Sequence, residues 1–590
     1  MEKNTALTIG LSTVILVVFF AIQTFFFPQK KSSEPQKKPA EVAATESVSE
    51  APAEKIPEQN LFAASSNTEE QISLAEETFV IETNVAKVTF SNRGGDVIGY
   101  ELKNHKDRDT GKGVEMCANV TNVNRAFALS LGSNTNIINE LFSAKVIDDK
   151  TIGFFKDFSV RKEDGTLENF TLVKTYSFKD DEYLFKLDVT IDGSENFQGL
   201  DVNGCAYSLR TAPQIGPAFN PKDRYDIREI IAFDGDKKFN PKSGKERGFR
   251  WIAVAGKYFE ILVNPSDAVE TSGLVKIISP DKRGVTKDSQ VIVSRKGVKA
   301  RRISDSYSIY VGPRSEKEIK KYNLAEKNGW NVSGAHYGES LPTSGILSWL
   351  EYILKFIMEL IYKVIPNWGV SIIVLTILLK LALFPLTKNS LEGTQKMSQV
   401  QPRMKEIQDK YKSDPQKMQQ ETAKLYKEIG YNPMSGCLPL IFQFIILWSM
   451  YHLFNNYFEF RGASFIPGWI NDLSSTDRVC TFPFNIPWLG NELHVLPIIY
   501  LISQLLYGKI TQNGGTSVGQ NGGQMKMMMY GMPILFFFLF YSAPSGLLLY
   551  WTVSNVFQLG QQLYINHKMK NKPVVVSKNK KSVTVKSKKR

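Results

Sequence analysis

Histidine is scarce in this chain, five residues in 590, and the five stand far apart. No helical pair of imidazoles is therefore available to hold a catalytic metal, and neither a phosphate-binding glycine loop nor a nucleophile elbow occurs. His452 with Ser545 or Ser554 is the one pairing an intramembrane protease would want, and the glycine motifs that would support it are missing. Four cysteines, Cys117, Cys205, Cys437 and Cys480, lack ligand spacing, which excludes a zinc cluster and a disulfide framework. Cys117 and Cys205 either pair in an oxidising compartment or remain two buried thiols, and the sequence does not choose. Acidic residues are absent from residues 566–590, which hold ten Lys or Arg and leave only +3 of the total +13 to the rest of the chain. These absences predict a protein that is not an enzyme, needs no metal or cofactor, and is strongly basic at one end.

What is abundant is apolar sequence in runs. The mean hydropathy of -0.19 averages over unlike parts. Runs near the ~20 residues that span a bilayer occur at the N-terminus and repeatedly after residue 366. The first, within residues 1–27, follows Lys3 and ends at Pro28 without a small-x-small cleavage site. It predicts an uncleaved transmembrane anchor with a cytoplasmic N-terminus, removal after export being the alternative. Residues 28–78 are Pro, Ser, Ala, Glu and Lys with few large apolar side chains, a flexible linker. Residues 79–335 change to short alternating runs such as Phe79-Val-Ile-Glu-Thr and Tyr183-Leu-Phe-Lys-Leu-Asp-Val-Thr-Ile. That period of two predicts a large antiparallel β-sandwich, on the outer side because the first span carries the chain across.

In residues 346–364, Glu351, Lys355, Glu359 and Lys363 recur every four residues among Ile, Leu, Phe, Trp and Met. The pattern predicts an amphipathic helix lying in the membrane interface, although the same spacing suits a soluble helix laced by pairs one turn apart. Further spans are predicted at 368–386, 434–454, 495–507, 527–541 and 546–563. Basic residues set their orientation. Residues 387–431 carry nine and the tail ten, whereas the long loop 455–493 has only Arg461 and Arg478. The result is six crossings with both termini cytoplasmic, and a cytoplasmic helical hairpin over 387–431 broken at Lys412-Ser-Asp-Pro415.

Lys380 is the most informative single residue, because a lysine near the centre of a membrane helix costs ~3 kcal/mol and should face a wet cavity. Snorkelling to the cytoplasmic headgroups is the competing explanation, since the span ends about two turns further on. Polar residues that would share such a cavity are Thr376, one turn away, Gln443, and the series Ser554, Asn555, Gln558, Gln561 and Gln562. Each alone would serve as interhelical glue; together they suggest a hydrophilic interior around a cation.

Three stretches carry a family resemblance: Asn367-Trp-Gly-Val-Ser-Ile-Ile with Lys380 and Phe384-Pro-Leu-Thr, then Tyr431-Asn-Pro-Met-Ser-Gly-Cys-Leu-Pro-Leu, then Pro544-Ser-Gly-Leu-Leu-Leu-Tyr-Trp-Thr-Val-Ser-Asn. With Phe90-Ser-Asn-Arg-Gly-Gly and Tyr310-Val-Gly-Pro in the outer domain, they resemble the YidC membrane protein insertases in their Gram-negative form. The resemblance implies a polytopic α-helical inner-membrane protein whose five-helix core, 367–565, encloses a hydrophilic groove. It also implies a periplasmic β-sandwich similar to β-supersandwich sugar-processing folds, a likeness that confers no activity by itself. The groove residues it implies are Thr376, Lys380, Gln443, Tyr550, Trp551, Asn555 and Gln558. Nascent membrane proteins, the Sec translocon, the lipid bilayer and the ribosome are the implied partners. The ribosome would meet the tail 566–590 through Lys568, Lys570, Lys572, Lys580, Lys581, Lys588, Lys589 and Arg590, although on charge alone the tail suits ribosomal RNA and anionic lipid equally. Two positions depart from the family: Lys380 stands where an arginine is usual, and Ile445 where proline is common. A secondary transporter and a polytopic enzyme are the rival classes. The first lacks an inverted repeat and has an odd number of core spans, and the second lacks a catalytic constellation.

Overall fold

The computed structural model describes residues 62–64, 75–132, 136–161, 166–219, 226, 228–241, 248–265, 276–278, 290–342, 345–428, 433–487, 489–512, 530–569, 575–578 and 581–584. The expected N-terminal anchor and most of the linker lie outside them.

Between residues 62 and 313 the described residues are built mainly into strands. The largest sheet among the described residues has ten strands in the order Phe62–Ala64, Thr151–Arg161, Leu167–Ser177, Leu184–Gly193, Arg302–Pro313, Phe259–Pro265, Trp251–Gly256, Arg228–Phe233 and Lys238–Phe239, with Ser143–Asp148 also paired to Thr151–Arg161. Alternation drives it. In Leu184–Gly193, Phe185, Leu187, Val189 and Ile191 are buried while Lys186, Asp188 and Thr190 are half-exposed. Leu187 pairs with Tyr307 on one side and Tyr176 on the other, so both tyrosines share its inward face.

Two four-stranded sheets pack on that face. One, containing Ala86–Ser91, lays Phe90 against Tyr176 with ring centroids 4.9 Å apart. The other, containing Leu200–Arg210, sets the hydroxyl of Tyr207 2.8 Å from that of Tyr307. Each buried aromatic contributes about 2–3 kcal/mol of transfer free energy, which makes this shared interior the main source of the domain's stability. A buried polar knot sits inside it. Lys174 donates to the Asp96 carboxylate and to the carbonyls of Gly94 (3.2 Å) and Phe127 (3.1 Å), and Arg125 holds the second Asp96 oxygen at 2.9 Å. Cys117 and Cys205 are buried as thiols, with no disulfide joining them.

Helices follow: α1 (Glu316–Lys320), α2 (Ser348–Val364), α3 (Trp368–Lys410), α4 (Pro415–Glu428), α5 (Pro433–Asn456), α6 (Leu496–Gln512), α7 (Met532–Phe540) and α8 (Ser545–Met569). Pro366 separates α2 from α3, and the Asn367 side chain caps α3 by accepting from the Val370 amide at 3.1 Å. By length and composition, Trp368–Gly393 is the one described helix able to cross a membrane, and Leu496–Ile510 is a shorter apolar helix.

Three sequence expectations change here, and the long loop gains structure. The first arm of the expected hairpin is no separate helix, because α3 runs on through Pro385 and Pro402 to Lys410 before the chain turns into α4. The span expected at 527–541 is described only as the nine-residue helix α7 after a π-turn at residues 530–531. The loop 455–493 is ordered, with a 3-10 turn at Phe458–Phe460 and an antiparallel ribbon pairing Arg478–Ile486 with Gly490–His494; its Trp488 lies outside the described residues. The charged row of α2 is not a free polar face. Glu351 lies 3.0 Å from His452 Nδ1, Lys355 pairs with Glu316 of α1, and Glu359 accepts from the Tyr457 hydroxyl at 2.8 Å. The face left exposed is apolar: Trp349, Tyr352, Phe356 and Leu360. Charges placed a turn apart thus pin α2 to its neighbours rather than to one another, apart from Lys355 and Glu359 at 3.8 Å.

The same region joins the β-domain to the helices. Phe458 packs edge-on against His105 (5.4 Å) and Phe259 (5.8 Å), while Arg461 lies over the Phe259 ring at 4.7 Å and donates to the Lys106 carbonyl at 2.8 Å. Burial pushes His105 down to about 4, so this joint carries no titrating imidazole near neutral pH.

Candidate functional site

The helices meet at an apolar cluster in which Ile372 and Leu375 of α3 pack with Met450 and Leu453 of α5 and with Leu547 and Leu548 of α8. Packing is close at its end: a side chain at Gly369 would run into the ring of Phe465. Where that cluster stops, the helices part. A cavity of about 220 Å³ opens along α3 from Thr376 to Leu391, bounded by α5, α6 and α8. The apolar cluster therefore closes the end of the cavity nearest the β-domain, and the cavity extends toward the α3–α4 arm.

Lys380 faces this space, half-buried, and donates to Gln558 Oε1 of α8 at 3.0 Å. Gln558 in turn donates through Nε2 to the Tyr507 hydroxyl of α6 at 3.0 Å, so one relay ties three helices together. Gln561 Nε2 donates to the Lys380 carbonyl at 3.4 Å, next to the Leu381 carbonyl that Pro385 leaves without its helical amide. Neutral groups surround the ammonium, and among the described residues no carboxylate is paired with it. An unneutralised cation in a partly enclosed space is able to attract anionic or strongly polar groups that enter.

The structure brings Thr376, Lys380, Gln443, Tyr550 and Gln558 to this one cavity. Thr376 is buried and returns its hydroxyl to the Ile372 carbonyl at 2.6 Å, a bond that satisfies it within its own helix. Trp551 and Asn555 do not line the cavity. Trp551 packs against Phe540 of α7 (4.5 Å) and Tyr500 of α6 (5.7 Å), and Asn555 donates to Ser503 of α6 at 3.4 Å. Tyr507 and Ser390 line the cavity and were not anticipated. For Tyr507 a signal existed: Tyr500, Ser503 and Tyr507 recur every three or four residues in an otherwise apolar helix, one polar face turned inward. Of the basic tail, Lys568 lies in the last turn of α8, and Lys581 opens a short strand Lys581–Thr584 that pairs with Val575–Lys578. Lys570, Lys572, Lys580, Lys588, Lys589 and Arg590 lie outside the described residues. No group of His, Cys, Asp or Glu able to hold a metal occurs among the described residues.

Comparison with known proteins places both halves of the chain. The family described as 60Kd inner membrane protein matches residues 360–572, and the family described as YidC periplasmic domain matches residues 78–332. A membrane protein insertase YidC of Treponema denticola is 43% identical over 589 residues, covering 97% of this chain and 100% of that relative. The corresponding protein of Treponema pallidum is 36% identical, covering 95% of this chain and 98% of its own length. Among solved structures, a galactose mutarotase related enzyme from Lactobacillus acidophilus aligns with 40% of this chain and 97% of its own at 11% identity and a TM-score of 0.25, too low to carry an argument.

Proposed function

The chain belongs to the YidC family of membrane protein insertases, and from that premise we propose that its α3–α8 cavity is the groove in which a client's polar segment is solvated part-way across the inner membrane. The observation that carries this reading is Lys380, a cation among neutral hydrogen-bonding groups with no paired carboxylate among the described residues. A client brings a short hydrophilic segment that must cross and an apolar helix that must partition into lipid. Lys380, Gln443 and Gln558 offset part of the desolvation cost of the first. The second leaves sideways along α5 and α7, whose exposed Phe442, Phe444 and Trp448, and Ile534, Leu535 and Phe538, present an apolar slide. Burying ~20 apolar residues supplies the driving force, so no nucleotide is consumed.

In this proposal the chain crosses the inner membrane six times with both termini cytoplasmic and the β-domain periplasmic, and α2 lies in the outer interface with Trp349 and Phe356 toward lipid. The protein acts alone or beside the Sec translocon. Purified protein in liposomes is expected to insert a small two-span client without nucleotide, measured by protease protection, while leaving solute flux at the level of empty vesicles. Solute flux without insertion would replace this reading with a transporter.

The tail is proposed to bind the ribosome through charge. Truncation after His567 is expected to weaken ribosome co-sedimentation at low salt, with the difference from the full chain vanishing as salt rises toward ~0.5 M. A tail effect that is independent of salt, or no effect at all, removes the electrostatic contact.

A further inference from the structure

The ribbon Arg478–Ile486/Gly490–His494 contributes nothing to the cavity, yet its composition is unusual for a loop that faces water. Residues 479–491 contain no Asp, Glu, Lys or Arg, and the run is closed at its base by an ion pair between Arg478 and Glu492 at 3.2 Å. Phe482 and Phe484, two apart and hence on one face of the strand, stack with centroids 5.4 Å apart and planes 22° apart. Phe484 is 61% exposed and Val479 48%. A soluble ribbon normally buries such a pair against its own protein or replaces it with charge.

The base, by contrast, is fixed. Asp477 accepts from the amides of Val495 (2.8 Å) and Leu496 (2.7 Å) and from the Trp469 indole (3.1 Å), capping α6. The Tyr541 hydroxyl at the end of α7 receives the His494 amide at 3.2 Å and donates to the Glu492 carbonyl at 3.0 Å. The ribbon is thus rooted at the ends of two apolar helices, α6 and α7, with a charged collar at its root and an uncharged aromatic tip.

We propose that this tip is a lipid anchor, seated in the headgroup and acyl boundary of the outer leaflet. The inference rests on the membrane placement of α6 and α7 proposed above. Continuity selects lipid over a protein partner, because α6 begins two residues after the strand ends and brings the ribbon down to the bilayer surface. Chemistry agrees: aromatic side chains favour the interface, while the Arg478–Glu492 collar marks the level at which water returns. The backbone limits the depth. A two-stranded ribbon has two unpaired edges, too costly for the hydrocarbon core but tolerable at the interface, and Pro483 within the strand has no amide to leave unpaired.

The test uses the full-length protein in client-free liposomes with Cys437 and Cys480 replaced by serine and a nitroxide at Asn485→Cys. Collisional relaxation by oxygen, which concentrates in lipid, is compared with that by a water-soluble nickel chelate. A label at Phe538→Cys on α7 serves as the lipid reference and one at Arg108→Cys on the β-domain as the water reference. The oxygen-to-nickel ratio at residue 485 is expected to exceed that at residue 108 by about threefold or more, and to fall to it when Phe482→Ser and Phe484→Ser are combined. A ratio at residue 485 equal to that at 108, with 538 in lipid, overturns the anchor alone. Water-like ratios at both 485 and 538 overturn the membrane placement and the anchor with it. A ratio that rises only when a client is added overturns the anchor in favour of a client-binding face.

Discussion

Lys380→Glu is expected to lower insertion of a client with an acidic translocated tail by about tenfold or more, Lys380→Gln by less, and Lys380→Arg little. The ammonium is half-buried in a cavity whose other polar groups are neutral, so its field acts at an effective dielectric well below that of bulk water. At ~8 Å and an effective dielectric near 20 the attraction for one carboxylate is about 2 kcal/mol, and charge reversal inverts its sign. Glutamine keeps a hydrogen-bonding group opposite Gln558 and preserves hydration, but the Coulomb contribution is gone, so its defect should grow with the acidity of the tail. Arginine keeps the charge and adds donors, one of which can serve Gln558. Protease protection of tails of graded charge, in cells depleted of wild-type protein and carrying each variant at matched expression, reads the effect. If Lys380 merely snorkels to the headgroups, all three variants insert every client equally, and that result would falsify the groove-cation role.

Asp96→Asn is expected to destabilise the β-domain by about 3–5 kcal/mol, because it leaves Lys174 and Arg125 as buried cations without a carboxylate. Lys174 is fully buried and Asp96 equally so, which means neither can turn to water when the partner is lost. Burial already pushes Lys174 down from its ordinary value, against the pull of Asp96, so the lysine is expected to lose its proton more readily in the variant. For a domain of this size the loss corresponds to a fall of roughly 6–20 °C in the unfolding midpoint, read by calorimetry or by proteolysis on heating. Replacing all three charges together, Asp96→Leu with Lys174→Met and Arg125→Met, should recover part of the loss, since a buried ionic network exchanged whole for apolar groups of similar volume costs little, whereas Asp96→Leu with Lys174→Met alone still leaves Arg125 without its carboxylate. A midpoint shift under ~2 °C for Asp96→Asn would show that the knot is not the constraint its burial implies.

The β-domain was readable because its strands obey one rule: in Leu184–Gly193 every second residue faces the shared interior, and the sequence shows that period directly. Lys380 was readable because one charge stands alone in an apolar run. The course of α3 was not, since Pro385 and Pro402 look like helix ends locally, whereas packing of Phe384 and Leu391 against Ile565 and Met569 of α8, and of Val400 and Met404 against Leu425 of α4, carries the helix past both. The α2 charges were ambiguous in principle: a spacing of four suits pairing within one helix and pairing with three separate neighbours alike, and only the positions of Glu316, His452 and Tyr457 decide. The ribbon at 478–494 escaped notice because Pro483 interrupts its strand and its apolar residues are not buried. Tyr507 was missed for a different reason, as a tyrosine at a helix end reads first as an interface residue.

Pro385 breaks the hydrogen-bond ladder within the continuous helix α3, which makes it a point where the helix is expected to bend. The missing amide frees a carbonyl one turn upstream, and the Thr387 hydroxyl, bonded to the Leu383 (3.2 Å) and Phe384 (3.3 Å) carbonyls, braces the joint from the other side. The distal rod, from Pro385 to Lys410, is about 38 Å long at 1.5 Å per residue, so a bend of roughly 10° sweeps its tip through ~7 Å. Lys380 sits five residues on the other side of that point, where the same bend moves it by about 1 Å. Under the proposed topology, a force on the α3–α4 arm from the cytoplasmic side would work with a long lever against a nearly stationary cation, and would widen or narrow the mouth of the cavity while leaving the charge at its centre in place.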